Sequence, residues 1–447
     1  MKIKLIETSS YFENMKLLKS KQLFYPSLTL PLLAALTPPD IEVSIVNELL
    51  EDIDFDEKID LVGISSYTTN VHRAYEIGDE FRRRKVPVVM GGIHVSMEPD
   101  EAGEHADTII IGEAEDTWPQ FLSDFRNGTT KKVYEAEKRP SLSNLPIPSF
   151  SLIDKSHYVG YQKKGLFRFL LDPVIPIQTA RGCPHSCDFC AVTVFSGARY
   201  RPRPIPDVIN EIITLRAKLC SFVDDNIFAN PSRAKELFRA LIPLRIRWYG
   251  LGTINAAEDE ELIGLARKSG CVGMSIGLES LSSKNLESVG KRTNRVEDYE
   301  KNLKVYRKHR ISLTVSMIFG FDNDEPGVFK QACNFLVKNR VSLTYWYPLT
   351  PLPGTSLYER LKDQGRLKDV KWWLNPNRKI YYLRFTGAKM EEGVFFKNFY
   401  HHYRRFYSLA SIIRRTLLPP QPRFLIIIFL NLLYRGRLTR EALIPEH

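Results

Sequence analysis

The chain is short of the features that would place it in a secreted, membrane-spanning or disordered class. It has only six cysteines in 447 residues, three packed into positions 183–190 and three scattered at 220, 271 and 333. That is no disulfide framework, so a reducing compartment, the cytoplasm, is expected. Long hydrophobic runs are missing. The longest, Phe424 to Tyr434, is broken by Asn431 and falls well below the roughly 20 residues that cross a bilayer. The opening MKIKLIETSSYFENMK has neither the apolar core nor the small-residue cleavage site of a signal peptide, and none is expected. Repeats and low-complexity tracts are absent as well. With 43% hydrophobic and 26% charged residues, global disorder is excluded, and the length suits two to three domains that need no covalent staples.

Acidic residues are scarce only in places. The net charge of +11 divides into −10 over residues 1–135, +10 over 136–365 and +11 over 366–447. The body up to residue 365 is therefore neutral, and the basic excess sits in the last 82 residues. A charge so confined does not describe a nucleic-acid-binding body, no RNA-binding module is recognisable, and no nucleic-acid partner is expected.

Along residues 1–138, short β-branched runs (KIKLIE, IEVSIV, DLVGISS, VPVVMGG, DTIIIGE) alternate with helical patterns (LTLPLLAAL, VHRAYEIGDEFRRR, DTWPQFLSDFRNG). Apolar runs of four to six residues buried on both faces mark a parallel sheet, so a doubly wound, Rossmann-like α/β domain of five strands is predicted. Residues 139–158 begin with the proline-rich RPSLSNLPIPSFSLID and read as a linker. Six further strands follow over 159–365, ending in VIPIQTARG, LCSFVDDN, IRWYGLGTIN, VGMSIGLES, SLTVSMIFGF and VSLTYWYPLTP. Six βα units predict a partial (β/α)6 barrel whose active face lies at the strand carboxyl ends. From 366 to 447 the alternation stops in favour of a basic, aromatic helical tail.

The sharpest signal is Arg181-Gly-Cys183-Pro-His-Ser-Cys187-Asp-Phe-Cys190, a CxxxCxxC after the first barrel strand. Three thiolates so close can hold three irons of a cubane and leave a fourth iron open to chelate a substrate or cofactor. Zinc would need a fourth ligand; His185 inside the loop could supply one, at cramped geometry.

With this triplet the chain resembles the radical S-adenosylmethionine (SAM) superfamily. The resemblance implies that Cys183, Cys187 and Cys190 ligate a [4Fe-4S] cluster. SAM would chelate the open iron, and one electron from an external reductant would cleave it to a 5′-deoxyadenosyl radical. It places Phe189 near the adenine. It also gives the strand ends of FVDDN (Asp224, Asp225), GLES (Glu279), MIFGF (Ile318, Gly320) and YPLTPLPGT (Tyr347, Pro348) to SAM: the acids to its ammonium, Glu279 to the ribose hydroxyls, the rest to the adenine. Taken singly, each of these also reads as a solvated loop acid or a turn.

The upstream α/β domain resembles the cobalamin-binding domain of class B radical SAM enzymes, notably in PSLTLPLLAALTP, DLVGISSYT, VPVVMGGIHV and DTIIIGEAEDTWPQ. The DxHxxG of many cobalamin proteins is absent: His72, His94 and His105 all lack its Asp and Gly, so a histidine below cobalt is not expected. By this resemblance the cobalamin contacts are the strand-end loops Ser65-Ser66-Tyr67, Gly91-Gly92 with His94, and Gly112-Glu113, the glycines admitting close backbone approach. Gly91-Gly92 reads equally as a tight βα turn, and His94 as a satisfied histidine.

The tail carries Trp372-Trp373, Tyr381-Tyr382 and NFYHHYRRFYSLASIIRRTLL. It reads either as a helical cap over the barrel mouth or as a peripheral membrane patch built on Arg404, Arg405, Arg414 and Arg415. The family implies an enzyme, foremost a methyltransferase carrying a methyl from methylcobalamin to an unactivated carbon. The alternatives are a cyclase or ring-rearranging enzyme with the same cofactors, and a cobalamin sensor without catalysis, which would not need the triplet. A methylthiotransferase is disfavoured because no cysteine precedes Cys183. The substrate is unnamed by any motif, with a lipid-like molecule slightly favoured over a peptide or small metabolite on the strength of the tail.

Overall fold

A computed structural model describes residues 1–11, 15–161, 172–375, 382–387 and 389–440; Tyr381 of the tandem tyrosines lies outside them. Two six-stranded parallel sheets organise the chain. The first has the order β2-β1-β3-β4-β5-β6, from β1 (Lys2–Glu7), β2 (Glu42–Asn47), β3 (Leu61–Ser65), β4 (Val88–Gly91), β5 (Thr108–Ile111) and β6 (Val133–Glu135). Its helices are α1 (Thr29–Leu36), α2 (Val71–Arg83), α3 (Ile93–Met97), α4 (Pro99–Glu104) and α5 (Thr117–Asn127). The five predicted strands are present. The sixth, VYE, is a three-residue edge strand with one buried side chain, too short to give a period.

The core of this sheet follows from its sequence. Ile3, Leu5, Leu61, Val89 and Ile110 are buried on the strands and meet Leu30, Trp118, Phe121 and Leu122 of α1 and α5, each large side chain contributing about 1.5–3 kcal/mol. The order reverses between β1 and β3, so the crevice for a ligand opens at their carboxyl ends. There stand Thr8 and Ser9, which sequence reading passed over, beside Ser65, Ser66 and Tyr67.

The second sheet has the order β14-β13-β12-β11-β10-β7: β7 (Val174–Ile177), β10 (Leu219–Phe222), β11 (Arg247–Gly252), β12 (Cys271–Glu279), β13 (Ser312–Phe319) and β14 (Leu343–Pro348). A short pairing joins β8 (Ala180–Arg181) to β9 (Arg201–Pro202). The connecting helices are α6 (Ala191–Ser196), α7 (Ile205–Thr214), α8 (Pro231–Leu241), α9 (Glu260–Lys268), α10 (Ser283–Ser288), α11 (Tyr299–Lys308), α12 (Val328–Lys338) and α13 (Ser356–Asp363). All six predicted barrel strands are present, and the barrel is left incomplete as expected.

Alternation along these strands decides what the barrel holds. On β12, Met274, Ile276 and Leu278 are buried, whereas Gly273, Ser275 and Gly277 are half-exposed. On β13, Leu313, Val315, Met317 and Phe319 are buried and Ser312, Thr314, Ser316 and Ile318 are not. A closed (β/α)8 barrel fills its interior with bulky branched side chains. On β12 and β13 the half-exposed face is instead mostly small or hydroxylated, through Gly273, Ser275, Gly277, Ser312, Thr314 and Ser316, with Ile318 at its carboxyl end.

Two compact units divide the chain: Met1–Ala180 with Cys190–Leu219 and Pro351–Ile380, and Arg181–Phe189 with Cys220–Thr350 and Tyr381–His447. This partition does not follow the boundary expected at residue 366. Trp372 and Trp373, read as part of the tail, are fully buried within the first unit. The Trp373 Nε1–H donates to Glu101 Oε1 at 2.8 Å and its ring meets His94 edge-on.

The remaining tail forms α14 (Glu392–Phe406), α15 (Leu409–Thr416) and α16 (Phe424–Arg440), which pack on the second unit along β14. The Tyr407 hydroxyl accepts from the Thr344 N–H at 3.2 Å and donates to the Thr344 carbonyl at 2.8 Å, and the Tyr403 hydroxyl reaches the same carbonyl. Arg415 is not part of an exposed basic stripe. It is fully buried, with its guanidinium on the carbonyls of Val341, Ser342 and Phe406 and on Asn431 Oδ1. Burial pulls its pKa down to about 10.

Candidate active site

Every sequence-predicted residue for SAM stands at the carboxyl end of a parallel strand or on the cysteine loop. Between β8 and α6 the loop has no regular structure. Gly182 opens it at φ 80°, a conformation that favours glycine. Cys183 is half-buried and Cys187 buried, Cys190 stands half-buried at the N-cap of α6, and none of the three is in a disulfide. Among the described residues no three ligating side chains converge on a point that a single metal ion could occupy. A cubane would take the three thiolates on separate iron corners.

Two braces position the loop. On one side the Gly182 N–H donates to Asp225 Oδ2 at 2.8 Å, and the Asn226 amide lies 4.0 Å from Cys183 Sγ. This ties the loop to the end of β10. On the other side the Asp188 N–H donates to the Val289 carbonyl at 3.0 Å, two residues before Lys291. Lys291 Nζ lies 3.3 Å from Glu279 Oε1. The cysteine loop is thus held against the second strand end and against the segment that pairs with Glu279. Its backbone and thiols fit a [4Fe-4S] cluster, with an amide donor toward one sulfur.

Glu279 has the marks of a group under functional constraint. Its backbone is left-handed, φ 63°, at an irregularity in the β12–β13 register. Strain of this kind costs about 1–3 kcal/mol and persists only where the surroundings fix it. The side chain is buried, and burial raises its pKa although Lys291 opposes the shift. It curls over Gly277, where an added Cβ would come 1.9 Å from Glu279 Oε1. Asp224 is buried and Asp225 exposed at the end of β10; Ile318 is half-buried, Pro348 buried and Tyr347 exposed. Phe189 is half-buried at the end of the cysteine loop.

Two members of this site escaped sequence reading, Lys291 and Asp324. Buried Asp324 accepts the N–H groups of Gly320 (2.8 Å) and Phe321 (3.2 Å) on Oδ2, and Asn285 Nδ2 on Oδ1 (2.7 Å). It fixes the turn after β13, where Gly320 has φ 99°. Burial raises its pKa against those donors. An acid four residues beyond a glycine that ends a strand was the available signal.

The expected cobalamin residues also share one sheet end, but the structure spends several of them internally. His94 is fully buried, with Nδ1 3.1 Å from Thr68 Oγ1 and Nε2 3.3 Å from Glu101 Oε1. Its pKa is lowered by burial. It is the satisfied core histidine, and neither nitrogen is left for a corrin contact. Burial raises the Glu101 carboxyl, but His94, Trp373, Lys371 and Tyr75 together hold it down at about 2.

Glu113 is likewise taken: its carboxylate pairs with Arg201 and lies 3.9 Å from Arg139. Gly92 serves a different end from the close approach expected of it. A Cβ there would meet the Ser66 carbonyl at 2.5 Å, so the glycine lets two strand-end loops pack, and Ser66 itself is buried. A Cβ on Gly91 would meet only the Ile110 carbonyl of the sheet. The surface that remains open is Ser65, exposed Tyr67 and Gly112. Gly112, at φ 81°, has nothing within 4 Å of an added Cβ, and its N–H is fixed by Ser96 Oγ at 2.8 Å.

The chain matches the family model of the Radical SAM superfamily over residues 177–336 and that of the B12 binding domain over 36–122. It is 31% identical to a bacteriochlorophyllide d C-12(1)-methyltransferase of Chlorobaculum tepidum, across 93% of this chain and 90% of that protein. It is 30% identical to the C-8(2)-methyltransferase of the same organism, across 94% and 93%. The chain belongs to the cobalamin-dependent radical SAM enzymes. Its fold is shared by the enzyme OxsB, solved with aqua-cobalamin and SAM bound, at a TM-score of 0.67 and 13% identity over 98% of this chain and 71% of that one. The enzyme is a methyltransferase acting on carbon, with a [4Fe-4S] cluster, SAM and cobalamin as cofactors. When bound, they supply reductive SAM cleavage and the methyl group.

Proposed function

We propose that this enzyme methylates a peripheral alkyl carbon of a chlorophyll-like tetrapyrrole in the cytoplasm, at a membrane surface touched by its C-terminal helices. The observation that carries the radical chemistry is the double brace on the cysteine loop, from Asp225 and Asn226 on one side and Val289–Lys291 on the other. In this reading Cys183, Cys187 and Cys190 hold the cluster. Asp224 and Asp225 receive the SAM ammonium, Glu279 its ribose, and Phe189, Ile318, Gly320, Tyr347 and Pro348 its adenine. Ser65, Tyr67 and the backbone at Gly112 receive cobalamin.

The tetrapyrrole class is supported by two relatives that align with nearly the whole chain, tail included. The small or hydroxylated half-exposed face of β12 and β13, with Ser275, Thr314 and Ser316, suits a flat, partly apolar ring. The tail no longer argues for a lipid substrate, because Tyr403, Tyr407 and Arg415 are engaged in packing on β14.

The test is anaerobic turnover with methyl-deuterated SAM and a bacteriochlorophyllide. A trideuteromethyl group in the tetrapyrrole is the expected result. Unlabelled, cyclised product would replace methyl transfer by ring closure, and 5′-deoxyadenosine without tetrapyrrole consumption would remove the substrate class.

A further inference from the structure

The C-terminal helices carry a surface that the cofactor chemistry does not use. The inward side of α16 is buried at Ile427 and Asn431, where Asn431 Nδ2 donates to the Ser342 carbonyl. Its outward side repeats at i, i+4, i+7 and i+8 through Leu425, Phe429, Leu432 and Leu433, and Leu425 is 59% exposed. On α15, Leu409 and Ile413 stand four residues apart, both exposed, and the connecting turn adds Leu418 at 66%. Continuous apolar stripes of this kind mark an interaction surface. No described helix is long and apolar enough to cross a membrane.

Positive charge flanks the stripes. Half-buried Arg423 leads into α16, and burial together with the positive charge of Arg267, Arg247 and Arg310 lowers its pKa. Arg247 opens β11, Arg267 lies in the last turn of α9, and Arg310 is exposed just before β13. Among the described residues no carboxylate lies within ion-pair distance of Arg267, Arg310 or Arg423. Exposed Arg405 and Arg414 border the α15 stripe.

We propose that α15 and α16 bind the surface of an anionic bilayer, with Leu409, Ile413, Leu418, Leu425, Leu432 and Leu433 entering the headgroup–acyl boundary and the arginines meeting lipid phosphates. Cationic residues beside exposed aliphatic side chains, on helices too short to span, give the composition of a surface that sits at a headgroup–acyl boundary. A nucleic acid would use the arginines but has no use for the leucines. The proposal deepens the membrane contact proposed above and relocates it. The Gln421 amide bonds the Arg340 carbonyl at 2.7 Å and its oxygen accepts from Ser342 Oγ at 2.9 Å, so the turn before α16 sits at the start of β14. The cofactor residues lie at the other end of that strand. The bilayer therefore holds the barrel by the end away from its chemistry, and SAM cleavage does not depend on it.

The test uses holoenzyme, kept anaerobic, sedimented with vesicles of equimolar phosphatidylcholine and phosphatidylglycerol or of phosphatidylcholine alone. Binding is expected to the anionic vesicles and to weaken with salt. Leu425→Asp with Leu432→Asp, or the milder pair to Ser if the first misfolds by circular dichroism, should weaken it about tenfold. Arg310→Glu with Arg423→Glu should remove the preference for anionic lipid. Both pairs should leave 5′-deoxyadenosine formation with dithionite unchanged. Wild-type protein that stays in the supernatant overturns the proposal. So do leucine variants that bind vesicles and heparin as the wild type does, which would make the surface a polyanion site. Loss of SAM cleavage in the wild type would instead overturn the enzyme reading and leave vesicle binding standing.

Discussion

At the strand ends of the barrel, polar side chains are braced by near neighbours in sequence or on the adjoining loop. Asp225 fixes the Gly182 backbone and Lys291 balances Glu279. At the strand ends of the N-terminal sheet the pattern is inverted. His94 and Glu113 turn inward to Glu101 and Arg201, and what remains for a ligand is mostly backbone, at Gly112. The difference suits the two ligands. SAM is small, charged and must be oriented by specific groups, whereas a corrin is broad and is met by shape and by peptide edges. Polar residues at a strand end therefore do not by themselves mark a binding group.

The largest effect should come from breaking the barrel side. Cys187→Ala is expected to reduce 5′-deoxyadenosine formation to background and to lower iron and sulfide content below four each per chain, while the N-terminal unit still binds cobalamin; persistence of 5′-deoxyadenosine would falsify the cluster assignment. Gly277→Ala should act next. Its methyl displaces the Glu279 carboxylate, and losing a charge-assisted hydrogen bond of about 1.5–3 kcal/mol should weaken SAM binding roughly 10- to 100-fold. Calorimetric titration with SAM checks this, and an unchanged affinity would detach Glu279 from SAM.

The opposite outcome is expected on the N-terminal side. His94→Ala should cost about 2–4 kcal/mol of stability, by leaving the buried Glu101 carboxylate short of a partner. The electron paramagnetic resonance spectrum of bound cob(II)alamin should not change, and loss of a nitrogen splitting would return His94 to the cofactor.

The smallest effect concerns Glu7 at the end of β1, whose carboxyl burial pushes up to about 7 from its ordinary 4.5 against a hydrogen bond from Ser27. A carboxyl with a raised folded pKa holds its proton longer folded than unfolded, so stability falls as pH rises from about 4.5 to about 7 and is then level. The full drop should be roughly 3 kcal/mol and should vanish in Glu7→Gln, as denaturant titrations at pH 5 and 7.5 will show.

How legible each part was follows the distance over which its residues cooperate. Strands such as DLVGISS and SLTVSMIFGF declare themselves through local apolar runs, and the cysteine spacing is a property of eight consecutive residues. His94 and Trp373 meet across most of the chain, as do Glu113 and Arg201 across 88 positions. No local pattern announces such pairs, so Trp372-Trp373 read as tail although they are core. Lys291 and Asp324 act at shorter range, Lys291 twelve residues beyond Glu279 and Asp324 on its own turn at Gly320 and Phe321, and the glycine–acid spacing of the latter was legible.

The tyrosines on β14 have a consequence for how the molecule behaves in a crowded cell. A sheet that stops at its sixth strand normally ends in a ladder of unmet amides and carbonyls, the template on which a neighbouring chain can add itself. Here Tyr403 and Tyr407 spend their phenols on Thr344, the second residue of that strand. The start of that edge is thereby kept from pairing with the backbone of another chain.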